Sequence, residues 1–158
     1  MKKTLLALGL LATSLPSLAA DPTPVIVEAS IILTQDVALT AGYTASAASL
    51  PTTSVVPDLL LGKFTASEAV GQKVQFAAKF TAAYQRDAVD AGWMKLEGSP
   101  SSTPIPVKLV GWSSASDHVQ TDVAAPNATL DLQVADSVET AKLTGGNYTT
   151  DVEISIIV

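Results

Sequence analysis

Two segments at opposite ends of the chain carry the period of a half-buried strand. They are Val25-Ile26-Val27-Glu28-Ala29-Ser30-Ile31 and Tyr148-Thr149-Thr150-Asp151-Val152-Glu153-Ile154-Ser155-Ile156-Ile157-Val158. In each, apolar residues recur at every second position and most residues between them are polar, which gathers one row on one face. Such a strand leaves its backbone groups and its apolar face uncovered until a neighbouring strand pairs with it. Where that neighbour comes from decides what the chain can become.

The residues before the first segment read as a secretory leader. Lys2 and Lys3 form a basic start, residues 5–11 a short apolar run, and Ser17-Leu18-Ala19-Ala20 offers small residues for cleavage. The run is far shorter than the ~20 residues needed to span a bilayer, so a leader is expected at 1–20 rather than an anchor. Cleavage after Ala20 removes 20 of 158 residues and leaves 138, enough for one domain with its own core. Without Lys2 and Lys3, nine basic residues become seven against 15 acidic ones, and the formal net charge moves from −6 to −8. That balance sets aside nucleic acid and anionic membrane as partners. There is no cysteine, so stability must come from packing, from metal or from other chains. Metal is poorly supported and no cofactor is expected: His118 is the only histidine, and no carboxylate loop has calcium-binding spacing.

The remainder reads as one domain of short strands. Candidates run over 36–45, 58–65, 73–84, 93–97, 106–112, 129–135 and 147–158. Turn formers separate them: two prolines in 48–57, three in 98–106, Pro126-Asn127 and Gly145-Gly146. This spacing indicates an all-β sandwich or barrel. Residues 77–91 are rich in alanine, which favours helix. Against that, Val74, Phe76, Ala78, Phe80, Ala82 and Tyr84 alternate with Lys73, Gln75, Ala77, Lys79, Thr81 and Ala83. A strand is therefore expected through Tyr84, with a helical turn in 85–91.

Chemistry finds little support. His118 follows Ser113-Ser114-Ala115-Ser116-Asp117, but no nucleophile-elbow motif accompanies it, and polar stretches between strands are usually solvated loops. Asp87, Asp90 and Glu97 flank an apparent turn, where carboxylates serve solubility. No catalytic residue is expected. Asn127-Ala128-Thr129 and Asn147-Tyr148-Thr149 match a glycosylation sequon and are assigned no function. Tyr43, Phe64, Phe76, Phe80, Tyr84, Trp93, Trp112 and Tyr148 are expected in the core, with a carbohydrate or receptor surface as the alternative for Trp93 or Trp112.

The two terminal segments carry a family resemblance. Ile26-Val27-Glu28-Ala29-Ser30, followed by Asp36-Val37-Ala38-Leu39, is similar to the mature N-terminus of structural subunits of bacterial chaperone–usher fimbriae, especially the cysteine-free pilins of enterotoxigenic colonisation-factor fimbriae. Gly146-Asn147-Tyr148-Thr149-Thr150-Asp151-Val152 resembles the same family's Gly-Asn-Tyr segment before its final strand. Together these stretches cover roughly a quarter of the mature chain.

The resemblance implies an immunoglobulin-like β-sandwich that lacks its last strand and is completed by donor-strand exchange. It implies a leader at 1–20, a donor extension at 21–35 and a pilin domain at 36–158. Val25, Val27, Ala29 and Ile31 would form the inward row of the donor strand, with Glu28 and Ser30 outward. Tyr148, Val152, Ile154, Ile156 and Val158 would line the acceptor edge, where a chaperone also binds. Pro22 and Pro24 suit a linker, whereas Ile32-Leu33 adds apolar residues where a polar linker is expected. Burying each large donor side chain contributes ~1.5–3 kcal/mol, and each main-chain hydrogen bond adds ~1 kcal/mol. That sum rivals the stability of a whole small domain. The expected partners are further copies of the chain in a linear homopolymer, a periplasmic chaperone, an outer-membrane usher and, for an adhesive role, a host receptor. The location implied is the cell surface, reached through the periplasm. The alternatives are a minor or tip adhesin, set aside because 138 residues leave no room for an extra receptor domain, and a free secreted β-sandwich binding module. The free module would pair its N-terminal strand within its own chain as a central strand, hydrogen-bonded on both sides, whereas a donor strand would extend from the body or pair at its edge without a complete set of partners.

Overall fold

Apolar alternation, interrupted by proline and glycine, sets where the strands of this computed structural model begin and end. It describes residues 25–33 and 39–157. The leader expected at 1–20, Pro22, Pro24, Asp36-Val37-Ala38 and Val158 lie outside the described residues.

In chain order the strands are β1 (Val25–Leu33), β2 (Leu39–Ala45), β3 (Leu60–Glu68), β4 (Gln75–Phe80), β5 (Ala91–Leu96), β6 (Ile105–Val110), β7 (Ser113–Ser114), β8 (Val119–Gln120), β9 (Asn127–Val134) and β10 (Gly146–Ile157). Single 3₁₀ turns occupy Thr52–Ser54 and Thr140–Lys142. One layer runs β2-β3-β9-β6-β5 and the other places β10 between β1 and β4, followed by β8 and β7. β10 joins the two: Tyr148 and Thr149 pair with Leu96 and Lys95 of β5, and residues 152–157 pair with β4. All these pairs are antiparallel except β1 with β10, which is parallel.

The product is an immunoglobulin-like β-sandwich. Leu61, Phe64, Val107, Leu109, Leu130 and Leu132 of one layer meet Phe76, Ala78, Phe80, Tyr148, Val152 and Ile154 of the other in a single core. Side chains of this size contribute ~1.5–3 kcal/mol each when buried. Gly92 sets how closely the layers approach, since a Cβ there would lie 2.6 Å from the Phe80 ring.

Four local expectations are corrected. The strand expected over 73–84 stops at Phe80, because β10 changes partner from β4 to β5 at this level and leaves nothing for the ladder to continue on. Thr81 N–H bonds to Asp151 O at 3.1 Å, and the amides of Tyr84 and Gln85 both turn back to Thr81 O. The helical turn expected in 85–91 is instead a tight turn closed by Arg86 N–H to Ala91 O at 2.9 Å. The stretch around His118, read as a loop, folds into the small hairpin β7–β8. At 58–65 the strand begins later and ends later: Asp58 has φ 63°, a left-handed geometry that aspartate tolerates better than most residues, so pairing starts at Leu60.

Candidate functional site

The site is built by β10 and the strand beside it. β1 follows β10 from Val25 opposite Gly146 to Leu33 opposite Ile154. On its other side, its backbone bonds among the described residues are those at one terminal bridge: Val25 N–H to Leu50 O at 2.8 Å and Leu50 N–H to Val25 O at 2.9 Å. The chain's own β1 thus fills the position beside β10 from one side, as an edge strand.

Sequence alternation sorts the β1 side chains. Val25 and Val27 are buried, Ala29 and Ile31 are half-buried against the core, Glu28 and Ser30 are exposed, and Ile32 is 44% exposed. Opposite the inward row stand Tyr148, Thr150, Val152 and Ile154, all fully buried, while Ile156 lies beyond the last β1 pair. Tyr148 is anchored by its hydroxyl, which donates to Thr144 O at 3.0 Å. Burial raises the Tyr148 phenol above its ordinary range, and the Thr144 hydrogen bond opposes that rise. Gly146, at φ 149°, starts β10 where a Cβ would meet Leu96 Cδ1 at 2.6 Å.

Thr150 is the groove residue that a search for apolar side chains misses. It faces Ala29, and its Oγ1 has no hydrogen-bond partner among the described residues. The signal was present in its even spacing between Tyr148 and Val152. On the outer face, the Ser30 hydroxyl donates to the Asp151 carboxylate. Next along β10, Glu153 pairs with Lys79 of β4 at 3.8 Å.

The remaining candidates are structural. His118 Nδ1 lies 2.7 Å from the Asp117 carboxylate and Nε2 lies 3.1 Å from Gln120 Oε1, so no serine occupies the ring nitrogen a nucleophile would use. The hydrogen bond with His118 holds the exposed Asp117 carboxyl below its ordinary value. Asp87 and Asp90 precede β5 and Glu97 follows it, so the length of the strand, roughly 20 Å, separates them. Of the aromatics, Phe64, Phe76, Phe80 and Tyr148 are buried, whereas Tyr43, Tyr84, Trp93 and Trp112 are half-buried. Trp112 stacks on Phe76 and donates to Thr129 O at 2.8 Å. Trp93 floors an open cleft of about 390 Å³ with Pro104, Pro106 and Val138. The Arg86 guanidinium sits 4.5 Å over its ring and pairs with Asp136 at 2.8 Å. Among the described residues, no group of three or more histidine or carboxylate side chains is placed to hold a metal ion, and no helix is long and apolar enough to cross a membrane.

No protein-family model matches the chain, and no curated protein matches it either. Solved structures do resemble it. The Escherichia coli Hda pilus minor tip subunit HdaB is 10% identical with a TM-score of 0.63, over 76% of this chain and 83% of that one. The Salmonella SafD adhesin is 13% identical with a TM-score of 0.60, over 76% and 84%. A structure describing fibronectin binding and biofilm formation by enteroaggregative E. coli AAF fimbriae is 8% identical with a TM-score of 0.51, over 76% and 99%. At such identities the likeness is one of fold.

Proposed function

We propose that the chain is a structural, non-enzymatic subunit of a chaperone–usher fimbria, and that it polymerises by lending β1 to the groove beside β10 of the next copy. The observation that carries this reading is that, among the described residues, β1 is held by one neighbour and one terminal bridge, while all other strand pairs close without it. A strand central to the sheet would be bonded along both edges, and that arrangement would favour the free binding module. In this reading, 21–35 is the exchanged extension and 36–158 the receiving domain. The chain reaches the cell surface through the periplasm, with a chaperone covering β10 on the way and an outer-membrane usher directing exchange.

Topology fixes the direction of the exchanged strand. β1 runs toward the end of the sandwich where β10 finishes, and β2 starts from that end, Leu39 opposite Glu68, and runs back. A released β1 therefore points away from that end with Val25 outermost. In an open polymer built from one repeated contact, all copies point the same way. The donor then passes the Gly146 side of its neighbour first, and Val25 reaches the Ile154 side, antiparallel to β10. Keeping the parallel pairing between copies would invert the neighbour and close a reciprocal pair instead.

Charged residues at two positions test the proposal. Val27→Asp places an unpaired charge in an apolar groove, whether β1 lies on its own β10 or on a neighbour's, at a cost of several kcal/mol, so heat-resistant polymer should vanish while subunit held by a chaperone, which takes the place of β1 beside β10, still accumulates. Ile154→Asp strikes the subunit's own core, so the subunit itself should be degraded. Polymer yield from the Val27 variant equal to wild type would refute exchange through β1.

A receptor-binding subunit is the second reading, and the cleft around Trp93 favours it. The length argument against a tip position weakens, because the chain covers 83% of a minor tip subunit. Under this reading Trp93→Ala abolishes adhesion to host cells without changing polymer yield.

A further inference from the structure

The sequence of β1 is symmetric in residue type about Ala29. Glu28 and Ser30 flank it, then Val27 and Ile31, then Ile26 and Ile32, then Val25 and Leu33. A strand with this pattern presents the same kind of inward row whichever way it runs. When it reverses over the same stretch of β10, Ala29 stays opposite Thr150, Val27 exchanges places with Ile31, and Val25 with Leu33. Only the outer row registers the change. In the parallel arrangement Glu28 faces the neutral Thr149, and Ser30 faces Asp151 and donates a hydrogen bond to it. After reversal, Glu28 faces Asp151 and Ser30 faces Thr149. Lys79, across β10, is already paired with Glu153 and sits two register positions away from Asp151. Like charges directly opposite each other on a strand pair are destabilising.

Resting on the exchange reading above, we propose that the outer row of β1 selects strand direction. Ser30 and Asp151 hold the chain in its parallel, self-capped form, and Glu28 against Asp151 opposes the antiparallel insertion that joins it to a second copy. Asp151 is the residue that reads direction, and the buried row is indifferent to it. The self-capped monomer is thereby protected from premature assembly.

The test uses the mature full-length chain, followed as heat-resistant polymer on gels. Among the described residues Glu28 pairs with no charged group in the monomer, so the urea midpoint of Glu28→Gln should equal that of wild type, while its polymer should form about two- to fivefold faster, the size of one opposed charge pair. The cysteine-free background gives a second readout. Glu28→Cys with Asp151→Cys sets the two thiols opposite each other only in the antiparallel register, so oxidation of the polymer should yield an intermolecular disulfide ladder and no internal bridge. Unchanged polymerisation by Glu28→Gln, or absence of the ladder, overturns direction selection. If Val27→Asp also polymerises like wild type, the exchange reading fails as a whole; if Val27→Asp blocks assembly, only direction selection is lost.

Discussion

Ala29 stands directly opposite Thr150 at the centre of the β1–β10 pair, and the Thr150 hydroxyl is fully buried without a hydrogen-bond partner among the described residues. A buried, unpaired hydroxyl costs about 1–3 kcal/mol, and valine fills the same volume without one. Thr150→Val should raise the stability of the monomer by about 1 kcal/mol, seen as a higher urea midpoint with an unchanged slope. A lower midpoint would mean that the hydroxyl has a partner in solution.

The approach of the two layers at Gly92 makes a second prediction. A methyl group there would lie 2.6 Å from the Phe80 ring, so either the ring or β5 must move. Gly92→Ala should destabilise the domain by about 1–3 kcal/mol, the usual cost of overpacking. Thermal unfolding measures it; a melting temperature equal to wild type would place Phe80 away from β5.

The pairing of Tyr43 with Leu61 predicts alkaline sensitivity. Burial raises the Tyr43 phenol far above its ordinary value of 10.0, and its hydroxyl donates to Leu61 O at 3.1 Å. Below pH 10.0 the phenol is protonated both folded and unfolded, so stability there does not depend on it. As the pH rises past that value the unfolded chain ionises first, and stability falls; Tyr148, raised in the same direction, adds to the loss. Tyr43→Phe should cost about 1 kcal/mol at neutral pH for the lost hydrogen bond and should flatten the alkaline decline. Parallel declines for variant and wild type would contradict the assignment.

Most of the fold was legible because alternation reports burial. β9 and β10 carry period-2 rows, as does β3 beyond its bulge at Leu60–Gly62, and their pairing buries one face of each. Alternation reports nothing about when a neighbour ends, and that is why Tyr84 was assigned to a strand that stops at Phe80. It also fails for segments of two residues, so β7 and β8 looked like loop. In the groove, the sequence separated Val25, Val27, Ala29 and Ile31 from Glu28 and Ser30. Thr150 was passed over because it is polar, although its place in the row was plain. The parallel direction of β1 was not legible at all: a row symmetric about Ala29 looks the same read either way, and only the Ser30–Asp151 contact distinguishes the two.

The central claim is that β1 leaves its own β10 when copies join, and one disulfide tests it. Ser30 and Asp151 are register partners in the self-capped chain, so Ser30→Cys with Asp151→Cys forms an internal bridge that ties β1 down. The measurement is the yield of heat-resistant polymer from this variant, oxidised and then reduced. The expected result is monomer alone when oxidised, and polymer at no less than the wild-type level once reductant frees the strand. Oxidised, bridged chains that polymerise as fully as wild type would contradict the account.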